Sequence, residues 1–143
     1  MRNDSDIGWI VLTLREAAWA PLLVLIPVFL ADWIFDVFTR LPWFDIPTHV
    51  LGGVAATYFF WRAAANAASV AGRFQGVSHA VFALACTTGA TILWELFEFL
   101  SDRLLQTRMQ HGVSDTLSDI VFSLAGGAAY LVLRRASAAR PSK

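Results

Sequence analysis

Residues 77–100 read VSHAVFALACTTGATILWELFEFL. Up to Trp94 the run is almost wholly apolar or small, and then it takes Glu95 and Glu98, with Asp102 just beyond. A hydrocarbon core of roughly 30 Å needs about 20 apolar residues in a helix, and this run supplies them. A carboxylate at membrane depth costs at least about 2.5–3.5 kcal/mol on insertion scales unless it is paired or hydrated. The stretch predicts a membrane helix whose acids face something other than lipid.

The rest of the chain supports that reading. It has 143 residues, 57% of them hydrophobic and 15% charged, with a mean hydropathy of +0.56. Soluble domains carry about 25% charged residues. Eleven basic residues balance eleven acids, so nothing favours nucleic acid as a partner. Cys86 is the single cysteine, which excludes an intramolecular disulfide and a thiolate metal cluster. The opening MRNDSDIGW places acids before the first apolar residues, so a cleaved signal peptide is not expected.

Three further stretches have the length of a crossing: Ala18–Phe38, Pro47–Ala65 and Thr116–Leu133. With Val77–Leu100 they predict an all-α integral membrane protein, a four-helix transmembrane bundle forming a single domain over residues 1–143. The connections TRLPWFD, NAASVAGRFQG and SDRLLQTRMQHGVSD carry Pro, Gly, Ser or charge punctuation. Pro47 suits a first helical turn, Asp115 suits an N-cap, and Pro27 is placed to kink the first span. Ile7, Ile10, Val11 and Leu14 recur at helical spacing, predicting a short interfacial helix or an extension of span one. The tail RRASAARPSK is expected to fray.

Four crossings put both termini and the second connection on one side. That side holds Arg2, Arg15, Arg62, Arg73, Arg134, Arg135, Arg140 and Lys143, and the other holds Arg40, Arg103 and Arg108. Eight against three places both termini in the cytoplasm by the positive-inside rule. The acids sort the opposite way. Asp4, Asp6 and Glu16 fall inside, whereas Asp32, Asp36, Asp45, Glu95, Glu98, Asp102, Asp115 and Asp119 fall at or beyond the outer ends, with His49 and His111. His79 alone among the histidines lies at the inner end.

Spacing aligns these acids. Thr87, Thr91, Glu95, Glu98 and Asp102 share one helical face, as do Asp115, Asp119, Ser123, Gly126 and Tyr130. Asp32 and Asp36 are four apart, and His49, Gly53, Ala56 and Phe60 form a third stripe. Facing inward, the stripes gather carboxylates and His49 into an outward-facing polar cavity, with small residues deeper for close helix approach. Crowded carboxylates require protonation or a cation. Carboxylates with imidazole and no thiolate suit Mg²⁺, Ca²⁺, Mn²⁺, Zn²⁺ or Fe²⁺. A di-iron bundle site would want Glu-x-x-His on two helices, and here Glu98 stands where that histidine would be. The candidate metal ligands are His49, Glu95, Glu98, Asp115, Asp119 and Asp45, and Glu95, Glu98 and Asp119 are the candidate catalytic groups.

Plainer readings compete. Asp115 can serve only as a cap, Asp32 and Asp36 can sit solvated among headgroups, and Asp102 and His111 can be loop residues. Gly52-Gly53 and Gly126-Gly127 read as packing sites. Trp33, Trp43, Phe44, Trp94, Phe97 and Phe99 read as an interfacial aromatic belt, and His79 as an interfacial residue. Glu95 resists the plain reading best, because it lies one to two turns inside the end of its span.

With these residues in place, the chain resembles the small YjdF-type inner-membrane proteins and the wider VanZ-like group. The resemblance rests on Asp45-x-x-x-His49 followed by Gly53, on the WELFEF stretch with Glu95 and Glu98, and on Asp115-x-x-x-Asp119 followed by Gly126. It covers about Asp45 to Gly127. Ile46 stands where the families often carry Lys, and the segment before the last span is shorter than in the YjdF type, with His111 in it. The resemblance implies a polytopic bacterial inner-membrane protein. The VanZ-like association with lipoglycopeptide resistance implies work at the outer leaflet or on envelope precursors, without naming a substrate.

Three function classes follow. The first, favoured here, is a binding or accessory protein whose cavity holds a divalent cation or a lipid or envelope-precursor headgroup. The second is a metal-assisted hydrolase or transferase acting on a lipid-linked or envelope precursor, with one carboxylate as general base. No nucleophile motif supports it. The third, a transporter, is disfavoured because the acids lie on one side only. Membrane lipids are the expected partners, with a homo-oligomer or a larger membrane complex as further possibilities.

Overall fold

The inside of the molecule is small and polar, and its outside is large and apolar. In the computed structural model, which describes residues 5–139, the buried hydrophobic side chains are all alanines: Ala17, Ala20, Ala55, Ala64, Ala67 and Ala83. Buried with them are Thr13, His49, Thr57, Thr87, Thr91, Glu95, Glu98, Ser101, Asp119 and Ser123. Trp33 is 84% exposed, Val113 77% and Leu104 75%. Water would drive such side chains inward. Lipid does not, and there helix association relies on small residues and interhelical hydrogen bonds.

The described residues form helices and connections, with no strand among them. They are α1 (Ser5–Ala17), α2 (Trp19–Phe35), α3 (Val37–Arg40), a 3₁₀ turn (Pro42–Phe44), α4 (Asp45–Asn66), α5 (Ala68–Ala71), α6 (Gly76–Leu105) and α7 (Val113–Ala138). Helix α4 is central and packs on α7, α6, α1 and α2. Its approach to α7 is backbone to backbone. A Cβ on Gly53 would stand 1.9 Å from the Ser123 carbonyl oxygen, and one on Gly126 would stand 2.0 Å from that of Val50. At Gly127 a Cβ would meet Thr57 Oγ1 at 2.5 Å. Gly52 has open space, so the packing role expected of both glycine pairs belongs to Gly53, Gly126 and Gly127. Thr57 and Thr87 join α4 to α6 through their hydroxyls at 2.8 Å.

Two helices, α6 and α7, are long and apolar enough to cross a membrane. Residues 7–17 and 19–35 add a third crossing if that pair, bent by 55°, is one broken span. Four spans were expected. Helix α4 has 22 residues, long enough at 1.5 Å rise, but is not among these candidates. Every 18-residue stretch of it takes in both His49 and Arg62, which lower its mean hydropathy.

Several local expectations shift. Helix α2 runs unbroken through Pro27, and the break bent by 55° falls at Ala18. A second break falls at Asp36, which is left-handed at φ 54°. The Asp32 carboxylate accepts the Phe38 N–H there at 3.2 Å, so Asp32 closes a turn. Helix α1 is a separate helix with Ile7, Ile10, Val11 and Leu14 exposed. Asp115 is not the N-cap of α7; Gly112 holds that position at φ 121°. Helix α7 runs on to Ala138, so the start of the tail is helical rather than frayed. Arg2, Asp4, Arg140 and Lys143, used in assigning orientation, lie outside the described residues.

Candidate functional site

The first turn of α4 and the second turn of α7 meet at one end of the molecule. Asp45 and His49 are one turn apart on α4, and Asp119 comes from α7, which the glycine contacts hold close. His49 Nε2 lies 3.3 Å from Asp45 Oδ1 and 3.7 Å from Asp119 Oδ1. One ligand atom from each residue falls within 4.8 Å of the others. Ligands bound at about 2.0–2.2 Å to one ion stand roughly 3 Å apart, so modest closure would bring these three onto a common centre. The other imidazole nitrogen, Nδ1, is 3.4 Å from Ser123 Oγ. A hydrogen-bond partner on the far nitrogen is the usual support of a ligating histidine. If Nδ1 donates to Ser123, Nε2 turns a lone pair toward two carboxylates, and only a proton or a cation between them relieves the repulsion.

Electrostatics sharpens the need. At an effective dielectric of about 20, two carboxylates 4.8 Å apart repel by about 3.5 kcal/mol. By the same measure a protonated imidazole at 3.3 and 3.7 Å would attract the two aspartates by about 5.0 and about 4.5 kcal/mol, so the pair is held by a proton on His49 or by a cation, and neutral His49 leaves the repulsion standing.

Helix α6 supplies the third wall. Thr87, Thr91, Glu95 and Glu98 are buried along one face, as the spacing predicts. The stripe then ends on Ser101, which is buried, rather than on Asp102. Glu95 is 5% exposed, and neither of its carboxylate oxygens has a hydrogen-bond partner. The Thr116 side chain is close by without meeting hydrogen-bond geometry, and His49, Asp45 and Asp115 are within electrostatic reach. Helix α6, at about 45 Å, outreaches a core of about 30 Å. Centred in it, Glu95 would sit about 8 Å below the edge and Asp102 outside. Glu98 differs from Glu95, since Trp94 Nε1–H donates to its Oε1 at 2.8 Å. Trp94, expected only as part of an aromatic belt, is therefore a donor to a candidate acid; its i to i+4 spacing was the available signal.

The structure keeps other candidates out of the trio. Asp115 is half-buried and accepts the His111 N–H at 3.1 Å, with His111 Nδ1 at 3.6 Å. Asp102 holds the connection to α7, accepting from Thr107 Oγ1 at 2.5 Å, Met109 N–H at 2.8 Å and Gln110 N–H at 3.0 Å. Asp36 is exposed. The acids thus divide into a buried group (Glu95, Glu98 and Asp119, with His49 and the half-buried Asp45) and a group that shapes turns (Asp32, Asp102 and Asp115).

The opposite end holds a site of another kind. Glu16 pairs with Arg62 and accepts Asn66 Nδ2–H at 3.2 Å. Its backbone carbonyl accepts Trp19 Nε1–H at 3.0 Å and Tyr58 O–H at 3.2 Å. This hub ties α1 and the start of α2 to α4. No local pattern foretold it, because Glu16 and Arg62 are 46 residues apart.

Comparison with known proteins agrees with the membrane assignment and adds no activity. An uncharacterized protein of Thermotoga maritima is 29% identical over 92 residues, 64% of this chain and 47% of the relative. The chain therefore spans about half the length of that curated relative. No solved structure matches. Residues 12–140 match the family model described as "Predicted membrane protein (DUF2238)", which includes the YjdF type. The chain belongs to that family of membrane proteins.

Proposed function

We propose that this protein is a bacterial inner-membrane protein that binds a divalent cation at the acidic end of its helices. Asp45, His49 and Asp119 are the ligands, with Glu95 and Glu98 completing the charge from α6. In this reading α4 is a fourth crossing, admitted because its polar residues face other helices. Both termini are cytoplasmic, and the site opens outward. The VanZ-like kinship is part of the same reading and rests on the three ordered motifs alone. The observation that carries the proposal is the convergence of three ligand atoms within 4.8 Å from two helices. Support comes from Glu95, a buried acid without a partner, since such groups point to a missing proton, water or ion. Oxygen-rich ligation with one imidazole suits Mg²⁺, Ca²⁺, Mn²⁺ or Zn²⁺.

Metal content by mass spectrometry, on protein extracted without chelators, tests the proposal. About one equivalent in the wild type, lost in both His49→Ala and Asp119→Asn, supports it. A metal-free wild type that takes up none on dialysis against these ions refutes it.

One observation favours a second reading, a metal-assisted hydrolase or transferase on a lipid-linked precursor. The Asp45 side chain is 26% exposed, whereas His49 and Asp119 are at 9% and 4%. A bound ion would be approachable from the Asp45 side, where a phosphate ester could reach it. Metal-dependent turnover of a lipid-phosphate panel, abolished in Glu95→Gln, would establish this reading. Bound metal without turnover leaves the binding role.

A further inference from the structure

At the end opposite the acids, His79 stacks on the Trp61 ring with centroids 3.8 Å apart and planes at 4°. The Arg134 guanidinium lies over the same ring at 4.4 Å. His79 Nε2 contacts the Trp61 carbonyl oxygen at 3.0 Å. A carbonyl only accepts, so Nε2 carries the hydrogen, and this bond holds the His79 ring against Trp61. Arg134 has no carboxylate partner among the described residues, whereas Arg62 is matched by Glu16. The Trp61 ring holds the face of the Arg134 guanidinium, whose N–H edge lies beside the Tyr130 hydroxyl with donors to spare. A shallow cavity of 530 Å³ runs past it, lined by Tyr130, Leu133, Arg134, Ser137 and Ala138.

We infer that this cavity binds the phosphate of an anionic phospholipid. Arg134 supplies the paired donors, and the Ser137 hydroxyl, which donates to the Leu133 carbonyl at 3.0 Å, can turn to a phosphate oxygen. Arginine's planar fork matches a phosphate in two hydrogen bonds, and its placement over Trp61 fixes that fork in advance. The choice of a lipid over free phosphate rests on the walls. Leu133 is 67% exposed and, with Tyr130, lies on the membrane side of the charge, so an acyl chain would cover it as the headgroup meets Arg134. The setting agrees. Arg15, Arg73, Arg134 and Arg135 stand at this end beside the Arg62–Glu16 pair, and anionic leaflets attract such clusters. The site is separate from the proposed cation site and does not depend on it.

Native mass spectrometry of the full chain in detergent, titrated with phosphatidylglycerol or phosphatidylcholine, tests the inference. Wild type is expected to retain phosphatidylglycerol selectively. Arg134→Gln should weaken that retention about tenfold, and Arg134→Lys, which keeps the charge without the fork, about threefold. Arg73→Gln should leave it unchanged. Retention unaffected by Arg134→Gln, or weakened equally by Arg73→Gln, would overturn the site in favour of diffuse attraction. Displacement of the lipid by inorganic phosphate at matched concentration would overturn the lipid as its occupant. Should Arg134→Gln fail to fold, Arg134→Lys decides: weakened retention supports the site and unchanged retention refutes it.

Discussion

At one end of α4, Arg62 lies against Glu16, Asn66 bridges Thr13 and Glu16, and Tyr58 and Trp19 close on the Glu16 carbonyl. At the other end, His49 stands between Asp45 and Asp119, and Glu95 lies buried with no hydrogen bond to either oxygen. Both ends contain acids close to apolar surroundings. The first matches its acid with donors from the same chain, as a structural joint does. The second leaves charge unmatched, which a fold tolerates when something else supplies the match. Burial alone does not separate a joint from a binding site; the donor count does.

The contrast can be broken most severely where the two helices of the acidic end touch. Gly126→Ala would drive a Cβ to 2.0 Å from the Val50 carbonyl oxygen. Overpacking of this kind should cost about 3 kcal/mol, read as a lower melting temperature in detergent, and should weaken metal binding by parting α4 from α7. His49→Ala comes next. It removes the only nitrogen ligand and should weaken metal affinity at least about 100-fold by titration, which is about 2.8 kcal/mol.

Opposite signs then sharpen the comparison. With chelator present, Glu95→Leu should raise thermal stability by about 1–2 kcal/mol, because it replaces an unmatched buried acid with an apolar side chain. Glu16→Gln should lower the melting temperature under the same conditions, because it leaves Arg62 unmatched. If both substitutions move stability in the same direction, the two ends do not differ as described. The smallest effect is expected at the middle. Thr57→Val removes the hydroxyl contact to Thr87 and should cost about 0.6 kcal/mol, near the average for such bonds between membrane helices.

Much of the acidic end was legible in the sequence, because helical periodicity is local. Thr87, Thr91, Glu95 and Glu98 recur at three- and four-residue steps, and that rhythm alone puts them on one buried face. Periodicity cannot say where a stripe leaves the protein. Asp102 continues the rhythm, yet lies near the helix end and turns to the backbone of the following connection. Asp115 likewise fits its stripe but is claimed by His111. The glycine-mediated approach of α4 and α7 was anticipated in kind, and its pairing of Gly53 with Ser123 and Gly126 with Val50 came only from three dimensions. Least legible was the far end. The Glu16 hub and the Trp61–His79–Arg134 stack join residues from separate helices, and no residue in them breaks a local pattern. The number of crossings was read from length, and length and apolarity together support α6, α7 and the bent pair of α1 and α2, whereas α4 has the length of a span with His49 and Arg62 inside every 18-residue stretch of it.

The central claim is that His49 and its neighbouring carboxylates hold a divalent ion. Pulsed electron paramagnetic resonance on Mn²⁺ added to the detergent-purified protein reads this directly, since a bound imidazole nitrogen couples to the metal spin. The expected result is one class of bound Mn²⁺ with a single nitrogen coupling, absent in His49→Ala and displaced by Zn²⁺. Mn²⁺ that stays fully hydrated, or a nitrogen coupling that survives in His49→Ala, would contradict the claim.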